Sequence, residues 1–381
     1  MAIALSAPRS NRDILENLVR EARIRVHRAA LFDTAPPPLP HDFDFNRIEG
    51  MMLGLAVGDS LGNTTESMIP HDRRELFGEV RDYLPNRHAG GRAVGLPSDD
   101  TQLALWTLER LIADRGLDPE RLTARFARDR IFGIGKTVRE FLAANRAGAP
   151  WWQSGPESAG NGALMRIAPI LIPHLQAPTA ELWVDTALAA MVTHNDRASI
   201  SACLAFVRIL WELLSMSRPP PPEWWAEKYV EVARPLEGDT RYRPRGGAYL
   251  DYSGPLWRFV EMTVPDALRA GRTVREACNA WYSGAFLLET VPSVLYILAR
   301  HGDDPEETLV RAVNDTKDND SIAAIVGAAV GALHGADALP ARWRSGLLGR
   351  TGADDDGRVF ELLASARAAF RRNALDGNSR G

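Results

Sequence analysis

Glycine stands at every fourth position of the stretch Gly50-Met51-Met52-Leu53-Gly54-Leu55-Ala56-Val57-Gly58-Asp59-Ser60-Leu61-Gly62. Residues four apart share one face of a helix, so a helix here carries a stripe without side chains. Glycine costs about 1 kcal/mol per helical position relative to alanine. That cost is offset where a second helix backbone lies against the bare stripe. The stretch therefore predicts close helix packing through Gly50, Gly54 and Gly58. Glu66, in Asn63-Thr64-Thr65-Glu66, follows in a loop that leaves this helix.

Most other segments also carry helical periodicity: 103–112, 138–144, 182–192, 200–214, 274–281, 291–299, 322–334 and 359–370. Strand alternation is scarce, and Gly, Pro and Asn clusters separate the segments at intervals suited to a multi-helix fold. The expected class is all-α, with a single compact multi-helix domain over residues 46–372. Pro219 to Pro222 breaks the middle, and Asp239 to Asp251 reads as a loop. Residues 1–45 read as an N-terminal extension. In it, one amphipathic helix over Asn11 to Phe32 precedes a connector containing Pro36, Pro37, Pro38 and Pro40. Packing on the body and binding a partner are both open to this extension. Residues 373–381 read as a flexible polar tail.

Composition narrows the function classes. Of 381 residues, 45% are hydrophobic and 25% charged, as in ordinary globular proteins. A net charge of −4 provides no overall basic field for nucleic acid or anionic lipid. No apolar run approaches the roughly 20 residues that span a bilayer. Cys203 and Cys278 are too few for a disulfide framework, and Met1 to Ser10 makes a poor secretory signal. A cytoplasmic, reducing location is expected. Gly135-Lys136-Thr137 resembles the end of a phosphate-binding loop, but Arg130 stands where that motif needs glycine.

Two acidic clusters stand at predicted helix starts. Ser98-Asp99-Asp100-Thr101 precedes a helix beginning near Gln102, and Asp318-Asn319-Asp320-Ser321 precedes one beginning near Ile322. Capping accounts for one acceptor at each site. Each cluster has two carboxylates within three residues, and crowding them together is costly without a cation. Hard Asp and Ser oxygens suit Mg²⁺, Mn²⁺ or Ca²⁺. If the clusters converge, they would hold two ions bridged by a shared carboxylate. Gly160-Asn161-Gly162 predicts a tight turn with positive φ whose N–H groups could meet phosphate or ribose oxygens. Thr193-His194-Asn195-Asp196 ends one helix and caps the next, and His194 is a hydrogen-bond partner suited to sugar or phosphate.

Taken in order, these pieces resemble the ADP-ribosylglycohydrolase family. The matching residues are Gly54 to Gly62 with Glu66, Ser98-Asp99-Asp100-Thr101, Phe132-Gly133-Ile134-Gly135, Gly160-Asn161-Gly162 to Arg166, Thr193-His194, and Asp318-Asn319-Asp320-Ser321-Ile322-Ala323. The resemblance covers residues 46–340 and implies an all-α fold with two Mg²⁺ or Mn²⁺ ions. It implies ligation by Ser98, Asp99, Asp100, Asp318, Asp320 and Ser321, with Asp320 as the bridge. Asp99, Asp100, Asp320 and Glu66 become the candidate catalytic carboxylates, with Glu66 gating or ligating. Gly160, Asn161, Gly162 and His194 would line the ADP-ribose pocket. Ser98 and Ser321 stand where many relatives carry threonine, which keeps the hydroxyl. The implied activity is hydrolysis of the N-glycosidic bond of ADP-ribosylated arginine on a protein. The alternative is an immunity protein that neutralises a cognate ADP-ribosyltransferase toxin by de-modification, by blocking it with the N-terminal arm, or both.

Overall fold

The structure, a computed structural model, describes residues 10–349 and 358–371. At its centre two helices, Asn46–Gly62 and Asn319–His334, run antiparallel in backbone contact. Gly50 lies opposite Gly331, Gly54 opposite Gly327, Gly58 opposite Ala323 and Gly62 opposite Asp320. A Cβ on Gly54 would stand 2.1 Å from the Gly327 carbonyl oxygen, and one on Gly327 would stand 2.0 Å from that of Gly54. No side chain fits on either face. Both helices are buried nearly all round, as expected of helices at the middle of a bundle.

Helices Asp99–Asp114, Arg197–Leu213, Leu287–His301 and Pro305–Asp315 pack around this pair. Pro222–Glu237 and Leu256–Arg269 form an outer layer over Arg197–Leu213 and Leu287–His301. The only strands among the described residues are Pro85–Asn86 and Arg92–Ala93, paired antiparallel with Pro85 opposite Ala93. The architecture is all-α, as expected. Among the described residues no helix is long and apolar enough to cross a membrane.

Within the body, each segment read from periodicity lies in a helix to within one residue at its end, but several helices were not anticipated. Pro70–Phe77, Pro119–Arg128, Pro222–Glu237 and Pro305–Asp315 each begin on a proline, and Pro222 belongs to the stretch read as a break. At the first helical position proline loses no hydrogen bond, and its fixed φ suits the helix. The break at 219–222 thus ends at Pro221.

The N-terminal extension departs from expectation. Its helix covers only Asn11–Arg20, and a short 3₁₀ turn follows at Ala30–Asp33. Ala22 takes a left-handed conformation at φ 52, and the Arg23 N–H closes the helix end on the Leu18 carbonyl at 2.8 Å. Beyond it, Ile24 and Val26 are buried while Arg23, Arg25 and His27 are exposed. This is strand-like alternation in a stretch that helical spacing had absorbed. The strap is tied down along its length. The His27 N–H donates to the Leu236 carbonyl at 2.9 Å. The indoles of Trp183 and Trp211 each donate at 2.8 Å, to the carbonyls of Thr34 and Pro37. Leu15, Leu18 and Phe32 sit in the common core, so the apolar face of the arm is turned toward its own body. The tail at 373–381 lies outside the described residues.

Candidate active site

The two acidic helices begin earlier than expected, at Asp99 and Asn319. Asp99, Asp100 and Asp320 therefore lie within first turns. Neither Ser98 nor Asp318 caps its helix with its side chain. The first helix is capped instead by Asp59, from the glycine-striped helix. Its carboxylate accepts from the Ser98 N–H at 2.9 Å, the Ser98 hydroxyl at 2.7 Å, the Thr101 N–H at 3.1 Å and the Thr101 hydroxyl at 2.6 Å. Asn63 Nδ2 adds a further bond at 3.0 Å. Asp59 is fully buried. Sequence reading passed over it, although a carboxylate inside an apolar, glycine-striped helix was its visible signal.

The glycine stripe brings the second cluster to the first. Gly62, the last residue of its helix, touches the Asp320 backbone. Carboxylate oxygens of Glu66, Asp318 and Asp320 lie within 4.8 Å of one another. Asp99 feels the charges of Asp59, Glu66 and Asp318, and Asp100 feels those of Asp59, Asp320, Asp99 and Asp318. The clusters therefore converge across more than two hundred positions of chain.

Burial, and then these like charges, push Asp99, Asp100 and Asp320 well above the usual carboxylate range. Burial raises Asp318 to about 6 against the opposing hydrogen bond from Asn161. Glu66, at the mouth, is raised by desolvation and then by the Asp59 charge. One oxygen of Asp100 and one of Asp320 are buried with no hydrogen-bond partner. None of these five carboxylates forms an ion pair with lysine or arginine among the described residues. Helix N-termini supply only partial positive charge. This collection of hard, uncompensated oxygens fits divalent cations of the Mg²⁺ or Mn²⁺ type. Ser321 is 7% exposed beside Asp320, and its hydroxyl donates weakly to the Met165 sulfur at 3.9 Å, leaving its lone pairs free.

The supporting residues hold this cluster rigidly. Asn161 Nδ2 donates to Asp318 Oδ2 at 2.6 Å and to the Thr290 hydroxyl at 3.1 Å. Gly160 and Gly162 do form a turn with Asn161, but neither has positive φ, contrary to expectation. Contact, not backbone conformation, requires glycine at 162: a Cβ there would stand 2.8 Å from His194 Cε1. His194 lies beneath the turn, 1% exposed, and burial with the Arg166 charge lowers its pKa to about 3. Gly133, at φ +76, folds the Phe132–Gly135 loop over Asp99; its Cβ would stand 2.8 Å from Asp99 Oδ1.

Arg73 is a second unanticipated residue, and unlike Asp59 it carries no sequence signal. Its guanidinium is completely buried and donates to the Thr65 hydroxyl at 2.9 Å and to the carbonyls of Met68 at 2.9 Å and Thr316 at 2.8 Å. It binds the Glu66 loop to the segment entering Asp318. Burial lowers its pKa to about 10, so it stays charged at neutral pH. Ser67, Tyr282 and Ser283 are non-glycine residues at φ 68, 72 and 42 beside the site. Such strain persists where surrounding contacts over-determine it. Here Ser283 accepts from the backbone N–H groups of Asp318 at 2.9 Å and Lys317 at 3.1 Å. Glu66 separates two clefts. One, of about 560 Å³, is lined by Asn86, Arg87, Ser98, Arg130, Phe132 and Gly133. The other, of about 300 Å³, is lined by Ser67, Arg245, Tyr282, Lys317 and Asp318.

The family model for ADP-ribosylglycohydrolase matches residues 40–374. The chain belongs to the ADP-ribosylglycohydrolase family. It is thus a hydrolase acting on glycosyl bonds. It is 28% identical over 342 residues to the ADP-ribosyl-[dinitrogen reductase] glycohydrolase of Rhodospirillum rubrum, covering 86% of this chain and 98% of the relative. It is 25% identical over 310 residues to the ADP-ribosylarginine hydrolase Tri1 of Pseudomonas putida, covering 78% of this chain and 73% of the relative. Among solved structures, an ADP-ribosylglycohydrolase-related protein complex superposes with a TM-score of 0.61 at 28% identity, covering 86% of this chain and 98% of that one. Family membership and these relatives support ADP-ribosyl hydrolase activity.

Proposed function

We propose that this glycohydrolase removes ADP-ribose from arginine side chains of a protein, cleaving the N-glycosidic bond between ribose C1″ and the guanidinium. The observation that carries this reading is the meeting of Asp99 and Asp100 with Asp318 and Asp320 around buried, unpartnered oxygens. The printed name of the Pseudomonas relative, an ADP-ribosylarginine hydrolase, supports the linkage. Ser98, Asp99, Asp100, Asp318, Asp320 and Ser321 would hold two Mg²⁺ or Mn²⁺ ions. When bound, such ions orient ribose hydroxyls and lower the pKa of a water.

The chain's own residues do the rest. Asp99, Asp100, Asp320 and Glu66 supply carboxylates that take a proton from the attacking water and stabilise positive charge developing at C1″. Asn161 fixes the orientation of Asp318. The turn at Gly160 to Gly162, with His194 beneath it, lines the ADP-ribose pocket. Glu66, between the two clefts, gates entry of the modified side chain. Buried, unpaired Cys203 and Cys278 suit a cytoplasmic setting. The test is turnover of an ADP-ribosyl-arginine protein by Asp100→Ala and Asp320→Ala. Each is expected to lose about a hundredfold or more; undiminished turnover in both ends this reading.

A further inference from the structure

Arg166 is completely buried and has no carboxylate partner among the described residues. One terminal nitrogen, Nη2, donates to the Ala189 carbonyl at 3.0 Å and to the Thr193 hydroxyl oxygen at 2.7 Å, while Nε and Nη1 have no partner. The guanidinium lies 4.9 Å from the Phe126 ring centroid. Burial lowers its pKa only to about 10, so a full positive charge stays inside the protein at neutral pH. Unpaired buried charge is costly, which asks for a role.

Proton counting supplies one. The Thr193 hydroxyl has a single proton. Its oxygen accepts from Arg166, and its one other hydrogen-bonding neighbour is His194 Nδ1 at 3.0 Å. A second acceptance, from an Nδ1–H, would leave the buried hydroxyl proton without an acceptor, at a cost; the proton therefore goes to Nδ1, which acts as acceptor. The ring proton is left on Nε2. That nitrogen has no protein partner and faces the turn, where a Cβ on Gly160 would lie 3.6 Å from it and one on Gly162 would lie 3.1 Å away. The ring is neutral throughout the physiological range because burial, followed by the Arg166 charge, holds its pKa near 3.

We propose that Arg166 and Thr193 are positioning residues that lock His194 in its Nε2–H tautomer, so that the ring presents one hydrogen-bond donor at the Gly160–Gly162 turn to a phosphate oxygen of ADP-ribose. The buried guanidinium behind the ring selects an anionic acceptor over a neutral one. This inference rests on the reading that the turn lines the ADP-ribose pocket.

The tautomer is read directly from ¹⁵N–¹H imidazole spectra of the full, ligand-free chain. The His194 signal is expected in the Nε2–H form, unchanged between pH 5 and pH 8. Thr193→Val removes the relay and is expected to shift the population toward Nδ1–H. It should also weaken ADP-ribose binding, measured by calorimetry, about tenfold. Thr193→Ser keeps the hydroxyl and should restore both signals. A wild-type Nδ1–H tautomer, or unchanged ADP-ribose affinity in Thr193→Val, overturns the proposal. If the wild-type tautomer is Nε2–H and ADP-ribose does not bind, the pocket assignment fails while the relay itself stands.

Discussion

Gly62→Ala tests whether the glycine stripe builds the acidic centre. A Cβ at this position would lie 2.5 Å from both the Asp320 Cα and its backbone nitrogen, where ordinary contact begins at 3.4 Å. Asp320 must therefore retreat by about 0.9 Å, the difference between those distances. Overpacking of this size costs about 1–3 kcal/mol. Alanine returns about 1 kcal/mol of helix propensity, so the net loss is about 0–2 kcal/mol, a few degrees in Tm. The site pays far more, because displacing a reacting group by about 1 Å costs on the order of a hundredfold in rate. Gly54→Ala is the comparator. Its Cβ would strike the Gly327 carbonyl at 2.1 Å in mid-helix, away from the carboxylates. It should destabilise more than Gly62→Ala while harming Mn²⁺ affinity less. Paired thermal melts, Mn²⁺ titrations followed by electron paramagnetic resonance, and turnover measurements separate the two. Wild-type Mn²⁺ affinity and turnover in a folded Gly62→Ala protein would refute the reasoning.

Two further outcomes follow from the site. Asp59→Asn replaces an all-acceptor group that takes the protons of Ser98 and Thr101. The amide can donate back to the Ser98 hydroxyl, so the variant should lose about 1–3 kcal/mol in denaturant unfolding and bind Mn²⁺ more weakly; unchanged values in both measurements contradict the assigned role. Asp318 titrates at about 6 in the folded chain against 3.8 for an unperturbed aspartate, so the metal-free fold holds more protons than the unfolded chain between those values. Its contribution is complete below the unfolded value and is lost as pH rises through about 6. The Tm of metal-free wild type relative to Asp318→Asn should therefore fall from pH 4 to pH 7, and saturating Mg²⁺ should reverse the trend; a rising difference without metal contradicts the sign.

Local patterns carried much of this protein. Helical spacing over 200–214 and 274–281 lies in sequence alone, and so does the glycine repeat. Paired carboxylates at two helix starts mark a site where a cation would relieve repulsion, because short-range repulsion is a property of residue type and spacing. Helical spacing fails beyond Arg20: around Ile24 and Val26 apolar residues fit two periods, and only contact with the body selected the extended one.

What sequence determined by itself was the all-α class, the bare helix face and the residue types of the acidic centre, since each depends on neighbours within a turn or two. Tertiary structure alone decided that Asn319–His334 fills that face, that Gly62 meets Asp320, and that Asp59 and Arg73 hold the two halves together. Those pairings join positions far apart in the chain. Hydrogen bonds and steric fit of that kind have no local signature, because they exist only once the backbone has brought the partners within a few ångströms.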